Sequence, residues 1–327
     1  MKALRLAGLG MLGCAVVAST AAHGAEEAFP SRPIRMIAPS SAGGPVDVIA
    51  RILAQGYGEA LGQQIVVDNR AGAAGLIGSD LVAKATADGY TLLFGFSGPL
   101  VIVPQLNAAG APYDSQKDFA PISLTSAAPY VLLVNAQSPV KTVKDLIAAA
   151  KAQPDKFFYG SGGNGTGIHM AGALFNMVAG TNITHVPFKG AAPATTALIS
   201  GQVNMMFNSL PGAMAHMKAG RIRAVAMATA QRSSLYPDLP TITESSGLPF
   251  DATGWYGVLA PRATPQPIVA RLHAEVVKAL NSPATKDRMT AQGVETVGST
   301  PQEFAARIRE EWTKWGKVIA VAGLKQK

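Results

Sequence analysis

Short runs of consecutive apolar residues alternate with stretches in which apolar positions return every three or four residues, from residue 34 to the C-terminal end. Strands are expected at 34–38, 65–67 and 92–96, with helices over 46–61 and 76–85 between them. Residues 121–135 read as β-rich. A second alternation then begins: helix 143–151, strand 157–159, helix 168–178, strand 183–186, helix 193–199, strand 203–207, a short helix near Met214 and strand 222–227. Beyond a loop carrying Pro237, Pro240 and Pro249, strand 255–260 leads into helix 268–280, which keeps Ile268, Leu272, Val276 and Leu280 on one face. The last helix opens with Thr300 and Glu303 at capping-box spacing. Its stripe of Phe304, Ile308, Trp312, Trp315 and Ile319 predicts docking on a core rather than ligand contact. Strand and helix alternate throughout, which predicts α/β architecture with largely parallel sheets. No internal sequence repeat is visible.

The N-terminal stretch is of a different kind. Lys2 and Arg5 precede an uncharged segment, residues 6–25, rich in Leu, Ala, Gly and Val, and Glu26 and Glu27 follow it. This is the pattern of a secretory signal peptide, residues 1–24, cut after Ala22-His23-Gly24. A signal anchor is the alternative, but the apolar part is short and diluted by Gly, Ser and Thr, whereas a spanning helix needs about 20 apolar residues. Cys14, the single cysteine, falls inside this segment after Met11-Leu12-Gly13, a poor likeness of a lipoprotein box. A mature chain without cysteine has no disulfide, thiolate metal site or cysteine nucleophile. A periplasmic location is expected.

Cleavage before Ala25 leaves 303 residues, the length of two lobes of roughly 150 residues each. Hydrophobic residues make up 48% and charged residues 15%, which supplies ample core and excludes a disordered or fibrous chain. The expected division is residues 25–127 for the first part of lobe one, 128–250 for lobe two and 251–327 for a return to lobe one. A return of that kind makes the chain cross between lobes near 127–134 and again near 250–257.

Charge changes the picture further. The formal net charge of +8 falls to +6 without Lys2 and Arg5, and 82 residues between Asp155 and Asp238 contain no acid. Lys156, Lys189, Lys218, Arg221, Arg223 and Arg232 lie in that span, so it is expected to attract anions. The cations are scattered singly with no aromatic interleaving, which argues against nucleic acid and for a small anion.

Two strand-to-helix turns are candidate anion grips. The first, Pro39-Ser40-Ser41-Ala42-Gly43-Gly44, precedes a helix opened by Pro45 and presents backbone N–H groups at the positive end of a helix dipole. The same residues also suit an ordinary tight turn. Asp47, in the first helical turn, is read mainly as a stabiliser that orders this loop. The second turn runs from Gly160 to Gly167, where five of eight residues are glycine. Residues 160–165 match G-x-G-x-x-G, but no acid follows about 20 positions on to bind a ribose, so dinucleotide binding is set aside. What remains is a glycine-rich turn that lets backbone amides approach an oxyanion. Ser161, Gly163, Asn164, Gly165 and Thr166 belong to it, and His169 follows one turn later. Ser97 and Asn208, at the ends of strands, complete the candidates, with Ser209 ranked beside Asn208. His185, His216 and His273 lack the spacing of a metal pair. No metal or cofactor is expected, and G-x-S-x-G, H-E-x-x-H and P-loop patterns are absent from the sequence.

The motifs taken together resemble the Bug family, the substrate-binding receptors of tripartite tricarboxylate transporters. The likeness begins at Phe29-Pro30-Ser31-Arg32-Pro33-Ile34-Arg35 and runs through Gly43-Gly44-Pro45-Val46-Asp47, LGQQIVVDNRAGAAG at 61–75 and Asp88-Gly89-Tyr90-Thr91. It continues through Gly160 to His169, His185-Val186-Pro187-Phe188-Lys189-Gly190 with Pro193, and Gly201-Gln202-Val203. The resemblance implies a two-lobed periplasmic-binding-protein fold of type II character, each lobe a mixed sheet flanked by helices around a ligand cleft. It implies a non-enzymatic, monomeric receptor that holds both carboxylates of a ligand by backbone amides, hydroxyls and waters rather than by a dedicated Arg, and passes to membrane subunits a di- or tricarboxylate, an aromatic carboxylate or an acidic amino acid. Two departures stand out: Ser40-Ser41-Ala42 where the family often has Phe and Pro, and Asn204 where an acid is frequent. A sensory binding protein and a secreted enzyme acting on an anion are the competing readings.

Overall fold

The computed structural model describes residues 29–325 except Ala108, Lys189 and Leu235. The expected signal segment, its cleavage point and Cys14 lie outside the described residues. In chain order the elements are β1 (Ile34–Ala38), α1 (Pro45–Leu61), β2 (Ile65–Asn69), α2 (Leu76–Ala83), β3 (Thr91–Phe96), α3 (Val103–Leu106), β4 (Phe119–Ala128) and β5 (Tyr130–Asn135). There follow α4 (Val143–Ala152), β6 (Phe158–Ser161), α5 (Gly167–Ala179), β7 (Thr184–Pro187), α6 (Ala191–Ile199), β8 (Met205–Ser209), α7 (Leu210–Lys218) and β9 (Ile222–Met227). The last group is α8 (Ile242–Ser246), β10 (Gly254–Pro261), α9 (Gln266–Asn281), α10 (Pro283–Ala291), β11 (Glu295–Thr296) and α11 (Pro301–Val321).

The strands form two sheets. One has the order β11-β4-β10-β3-β1-β2 and the other β7-β6-β8-β5-β9. Each is parallel where β-α-β units build it, as in β1 with β2 and β3 or β6 with β7 and β8. Antiparallel pairing centres on β10 in the first sheet, where β11 also runs antiparallel to β4, and on β5 in the second. The largely parallel sheets expected from periodicity give way to the mixed sheets that the family resemblance implies. Both β5 and β10 follow a passage between sheets, and periodicity carries no sign of direction. Set side by side, β2-β1-β3-β10-β4 and β7-β6-β8-β5-β9 share one topology, a repeat of architecture without a repeat of sequence.

Pro129 alone separates β4 from β5, so the chain leaves the first sheet and enters the second within one residue. It comes back along 228–253. Ala228 N–H donates to Tyr130 O at 2.9 Å and Ala252 N–H to Ala228 O at 2.8 Å, and Gly254 then pairs with Ala128. The two passages thus lie side by side as a narrow ribbon.

One apolar cluster fills the α1 and α9 face of the first sheet, with Tyr57, Phe94 and Leu272 fully buried. Another joins residues of both sheets, from Leu93 and Phe119 through Leu132 and Phe207 to Phe304 and Trp315. Helix α11 is held at its start by a complete Thr300/Glu303 capping box. Its buried Glu311 accepts from Trp255 Nε1 at 2.8 Å, Trp315 Nε1 at 3.2 Å, Arg307 at 2.8 Å and Lys314 at 2.9 Å. Arg307 and Lys314 also reach Asp251, through its carboxylate and its carbonyl. The returning passage is therefore bolted to α11 by a charged and hydrogen-bonded cluster.

Candidate functional site

Between the two sheets lies a cavity of about 450 Å³. Ser40 and Ser41 line it from the β1–α1 turn, Ala74 from the β2–α2 turn and Ser97 from the end of β3. Asn164, Gly165, Thr166 and Gly167 face them from the opening of α5, and Ala128, Tyr130, Gly254, Trp255 and Tyr256 form the floor. Among the described residues, Ser40 Oγ is buried with no hydrogen-bond partner. A second cavity of about 440 Å³ shares Pro45, Ala128 and Tyr256 with the first and is bordered by Gly43, Asn208 and Ser209. A larger hollow of about 760 Å³ lies outside the cleft, along the C-terminal half of α1 beside edge strand β2. That end of a helix is the negative one and does not favour an anion.

The opening of α5 has donor geometry that an anion can use. Thr166 caps the helix: its Oγ1 accepts from His169 N–H at 3.2 Å and donates to Gly163 O at 2.8 Å. No acid occupies the first turn of α5, so its dipole and free backbone donors face the cavity uncompensated. Gly165 holds φ 76°, and Gly163 φ 123°, conformations that side-chain-bearing residues rarely adopt.

Of the residues expected at the site, Ser40, Ser41, Ser97, Asn164, Gly165 and Thr166 meet in the first cavity, while Gly43 and Asn208 line the second. Ala42 is exposed on the loop and borders neither. The other four stand behind the turns. Asp47 is buried, accepts from Gly43 N–H at 2.8 Å and pairs with Arg51 at 2.9 Å. Burial pushes its carboxyl up, yet the bonds from Arg51, Gly43 and Asn69 hold it below the usual carboxylate range. Ser161 is fully buried, 2.6 Å from His185 Nε2, and its oxygen also accepts from Gly163 N–H at 3.1 Å. His169 Nδ1 accepts from Gly165 N–H at 3.1 Å, and its ring stacks on His185 with centroids 4.0 Å apart. Burial lowers both imidazoles to about 4, the charge of His169 adding to the effect on His185. These residues shape the α5 turn from beneath it.

Charge is deployed differently from the sequence expectation. Lys156, Lys218 and Arg221 are exposed away from the cavity linings, Arg223 donates to the carbonyls of Ala136, Ser138 and Val140, and Arg232 pairs with Glu244. Lys189 lies outside the described residues. Among the described residues no Lys, Arg, Asp or Glu lines either cavity. An acid-free stretch of sequence does not imply a cationic pocket, because guanidinium groups also serve carbonyl-rich loops.

The floor went unseen in the sequence. Tyr130, Trp255 and Tyr256 reach the cleft because the two passages pair there, a register no local motif encodes. Glycines make room for Tyr130: a Cβ at Gly254 would stand 2.9 Å from its hydroxyl, and one at Gly167 would overlap that hydroxyl outright. Gly167→Ala is accordingly expected to lower stability by about 1–3 kcal/mol through overpacking, measured by urea unfolding. Adding Tyr130→Phe removes the overlapping atom and should recover most of the loss; a double variant as unstable as the single one would refute the wedge.

Two sheets of matched topology, a double passage between them and a cleft floored by that passage define a two-lobed solute-binding protein of the periplasmic-binding fold. The chain belongs to the tripartite tricarboxylate transporter receptor family, whose pattern it matches over residues 49–324. It is 40% identical over 312 residues, 94% of this chain and 92% of the relative, to a protein encoded in a tcbD-tcbE intergenic region of a Pseudomonas species. An R. palustris protein solved with adipate is 35% identical with a TM-score of 0.78, covering 90% of this chain and 98% of that one. MatC from Rhodopseudomonas palustris with bound malate is 33% identical with a TM-score of 0.74, covering 89% and 100%.

Proposed function

We propose that this chain is an extracytoplasmic receptor that closes its lobes over a small organic carboxylate and delivers it to the membrane subunits of a tripartite transporter. The observation that carries the reading is the α5 turn: Asn164 to Gly167 present an uncompensated helix N-terminus to an interlobe cavity that also holds the partnerless hydroxyl of Ser40. Carboxylates fit such a donor set without a dedicated cation. The adipate and malate complexes of the relatives support the ligand class, and the N-terminal pattern of Lys2, Arg5 and an uncharged stretch supports a periplasmic location. The Ser161–His185 pair has the spacing of an activated nucleophile, but the buried serine does not line the cavity. Binding without turnover is the better account.

A ligand at 100 times its dissociation constant should stabilise the fold by about 2.7 kcal/mol. Melting temperatures recorded with a panel of aliphatic and aromatic mono-, di- and tricarboxylates check this, and a panel that leaves the melt unmoved defeats the reading. Co-purification with membrane subunits, with and without the stabilising acid, tests the transport role against a sensory one.

A further inference from the structure

The exposed cations of the acid-free span turn away from the cleft, but they turn to a common place. Strand β5 runs from Tyr130 at the cleft floor to Asn135 at the far end of the second sheet, where Asn135 pairs with Ile222 at the start of β9. Met205 opens β8 at that same end, paired with Val134 on one side and with Tyr159 of β6 on the other. The segments that join these strand ends therefore gather at the pole of the second sheet remote from the cleft. Helix α4 belongs to them, since it follows β5 and leads into β6 there. Its Lys151 stands by Gly180, at the end of α5 opposite the cleft: a Cβ at Gly180 would come 3.8 Å from Lys151 Nζ.

Six cations occupy this pole. Lys141, Lys144, Lys151 and Lys156 accompany α4, and Lys218 and Arg221 lie in the turn from α7 into β9. The two groups are neighbours, because Ala136 N–H donates to Arg221 O at 3.2 Å and Arg223 donates to the carbonyls of Ser138 and Val140. All six are exposed. Among the described residues, Arg232–Glu244 is the one ion pair within 130–250, and the others all lie outside that range. The acids at this end are Asp155 and Asp145, whose carboxylate accepts from Lys141 N–H at 3.0 Å and Thr142 N–H at 2.9 Å to cap α4. Glu244 of α8, which packs on α4, is matched by Arg232. The pole is left strongly positive.

Its apolar content narrows the partner. The exposed large apolar side chains among the described residues are Val66, Ile77, Val297 and Val321, none of them within 130–250. A specific protein interface has an apolar or aromatic centre inside its polar rim, whereas attraction to a layer of anionic headgroups needs only exposed Lys and Arg, each contributing separately. We propose that this pole of the second sheet is a contact surface for anionic phospholipid headgroups. Such a contact holds the receptor at a membrane surface while the cleft, at the other end of the sheet, stays open to solute. It goes beyond the carboxylate reading and does not depend on which acid is bound.

Sedimentation with vesicles tests it. The protein is expected to pellet with vesicles of equal parts phosphatidylglycerol and phosphatidylcholine at low ionic strength, to stay in solution with phosphatidylcholine alone, and to be released as salt shortens the range of the attraction. Lys144→Glu/Lys156→Glu/Lys218→Glu is expected to lower affinity for the anionic vesicles at least about tenfold. Arg262→Glu/Lys286→Glu/Lys317→Glu makes the same change in net charge on exposed residues around the first sheet, and is expected to bind nearly as wild type does. Equal losses in the two variants overturn the proposal, because net charge alone then explains the binding, and so does a wild-type protein that ignores the anionic vesicles. Binding to poly-L-glutamate without binding to the vesicles assigns the surface to an acidic protein partner and overturns the lipid reading. If a triple variant does not fold, lysine acetylation of the wild-type protein decides. Lys144, Lys156 and Lys218 are then expected to be shielded on anionic vesicles while Lys286 and Lys317 are not, and uniform labelling overturns the proposal. Stabilisation by carboxylates is expected to be unchanged in the pole variant, so failure of one reading is seen apart from failure of the other.

Discussion

Glu311→Ala is expected to cost about 3–5 kcal/mol of stability, the range for breaking a buried, hydrogen-bonded charge cluster from one side. Removing the carboxylate strips the acceptor from two indole N–H groups, Trp255 and Trp315, and takes from Arg307 and Lys314 the buried anion they share. Because Asp251 lies on the returning passage and Trp255 on β10 just beyond it, the loss is expected to loosen the cleft floor as well. Urea unfolding measures the stability, and proteolysis within 228–253 reports the loosening. Glu311→Gln keeps an acceptor for the indoles while losing the charge, so it should fall between wild type and alanine. If the alanine variant unfolds at the wild-type urea midpoint, the cluster does not hold the passage.

Acidification is expected to weaken the fold above the range where carboxylates titrate. Burial lowers His169 and His185 from 6.5 to about 4 in the folded chain. The unfolded chain therefore takes up these protons first as pH falls through about 6.5, and the folded chain resists until about 4. Stability is complete above 6.5 and drains away between the two values, by on the order of 3 kcal/mol for the buried His169 and by less for the part-exposed His185, where solvent screens the effect. The two stack on each other and on Tyr159, so they titrate as a coupled pair. Protonation at His169 Nδ1 also destroys the acceptor for Gly165 N–H, which should open the α5 turn and weaken ligand binding as the pH nears 4, where the folded chain takes up the proton. Urea midpoints at steps from pH 7.5 to pH 4 show the slope; the double variant His169→Gln/His185→Gln should flatten it. An unchanged slope in that variant would assign the acid sensitivity elsewhere.

What the sequence made legible follows from where the physics is local. Strand β1 and the Thr300/Glu303 start of α11 stand where periodicity and capping place them, since each is set by neighbours within a turn. Helix α10 escaped notice because Pro283–Ala291 is largely polar and shows little periodicity, although Ser282 caps it by accepting from Thr285 N–H. The π-helical turn at Gly98–Ile102 escaped for the opposite reason, its buried residues being apolar on every side. The glycine-rich turns announced their part of the cleft because strained backbone leaves a compositional trace. Tyr130, Trp255 and Tyr256 left none: their position depends on Gly254 pairing with Ala128, residues far apart along the chain. Charge misled most, since composition reports how many cations a stretch holds and nothing about which way they turn.

The exchange of strands between the sheets also governs the order in which this chain can fold. In the first sheet β10 lies between β3 and β4, so those two strands, close in sequence, have no direct pairing to make. Their shared neighbour is synthesised only after the whole of the second sheet. A nascent chain that has emerged as far as β9 can close its second sheet from a contiguous stretch, whereas the first is still missing its middle strand. The lobe begun first is thus finished last, and until Gly254–Pro261 arrives its exposed strand edges are a surface for holdase chaperones rather than a completed domain.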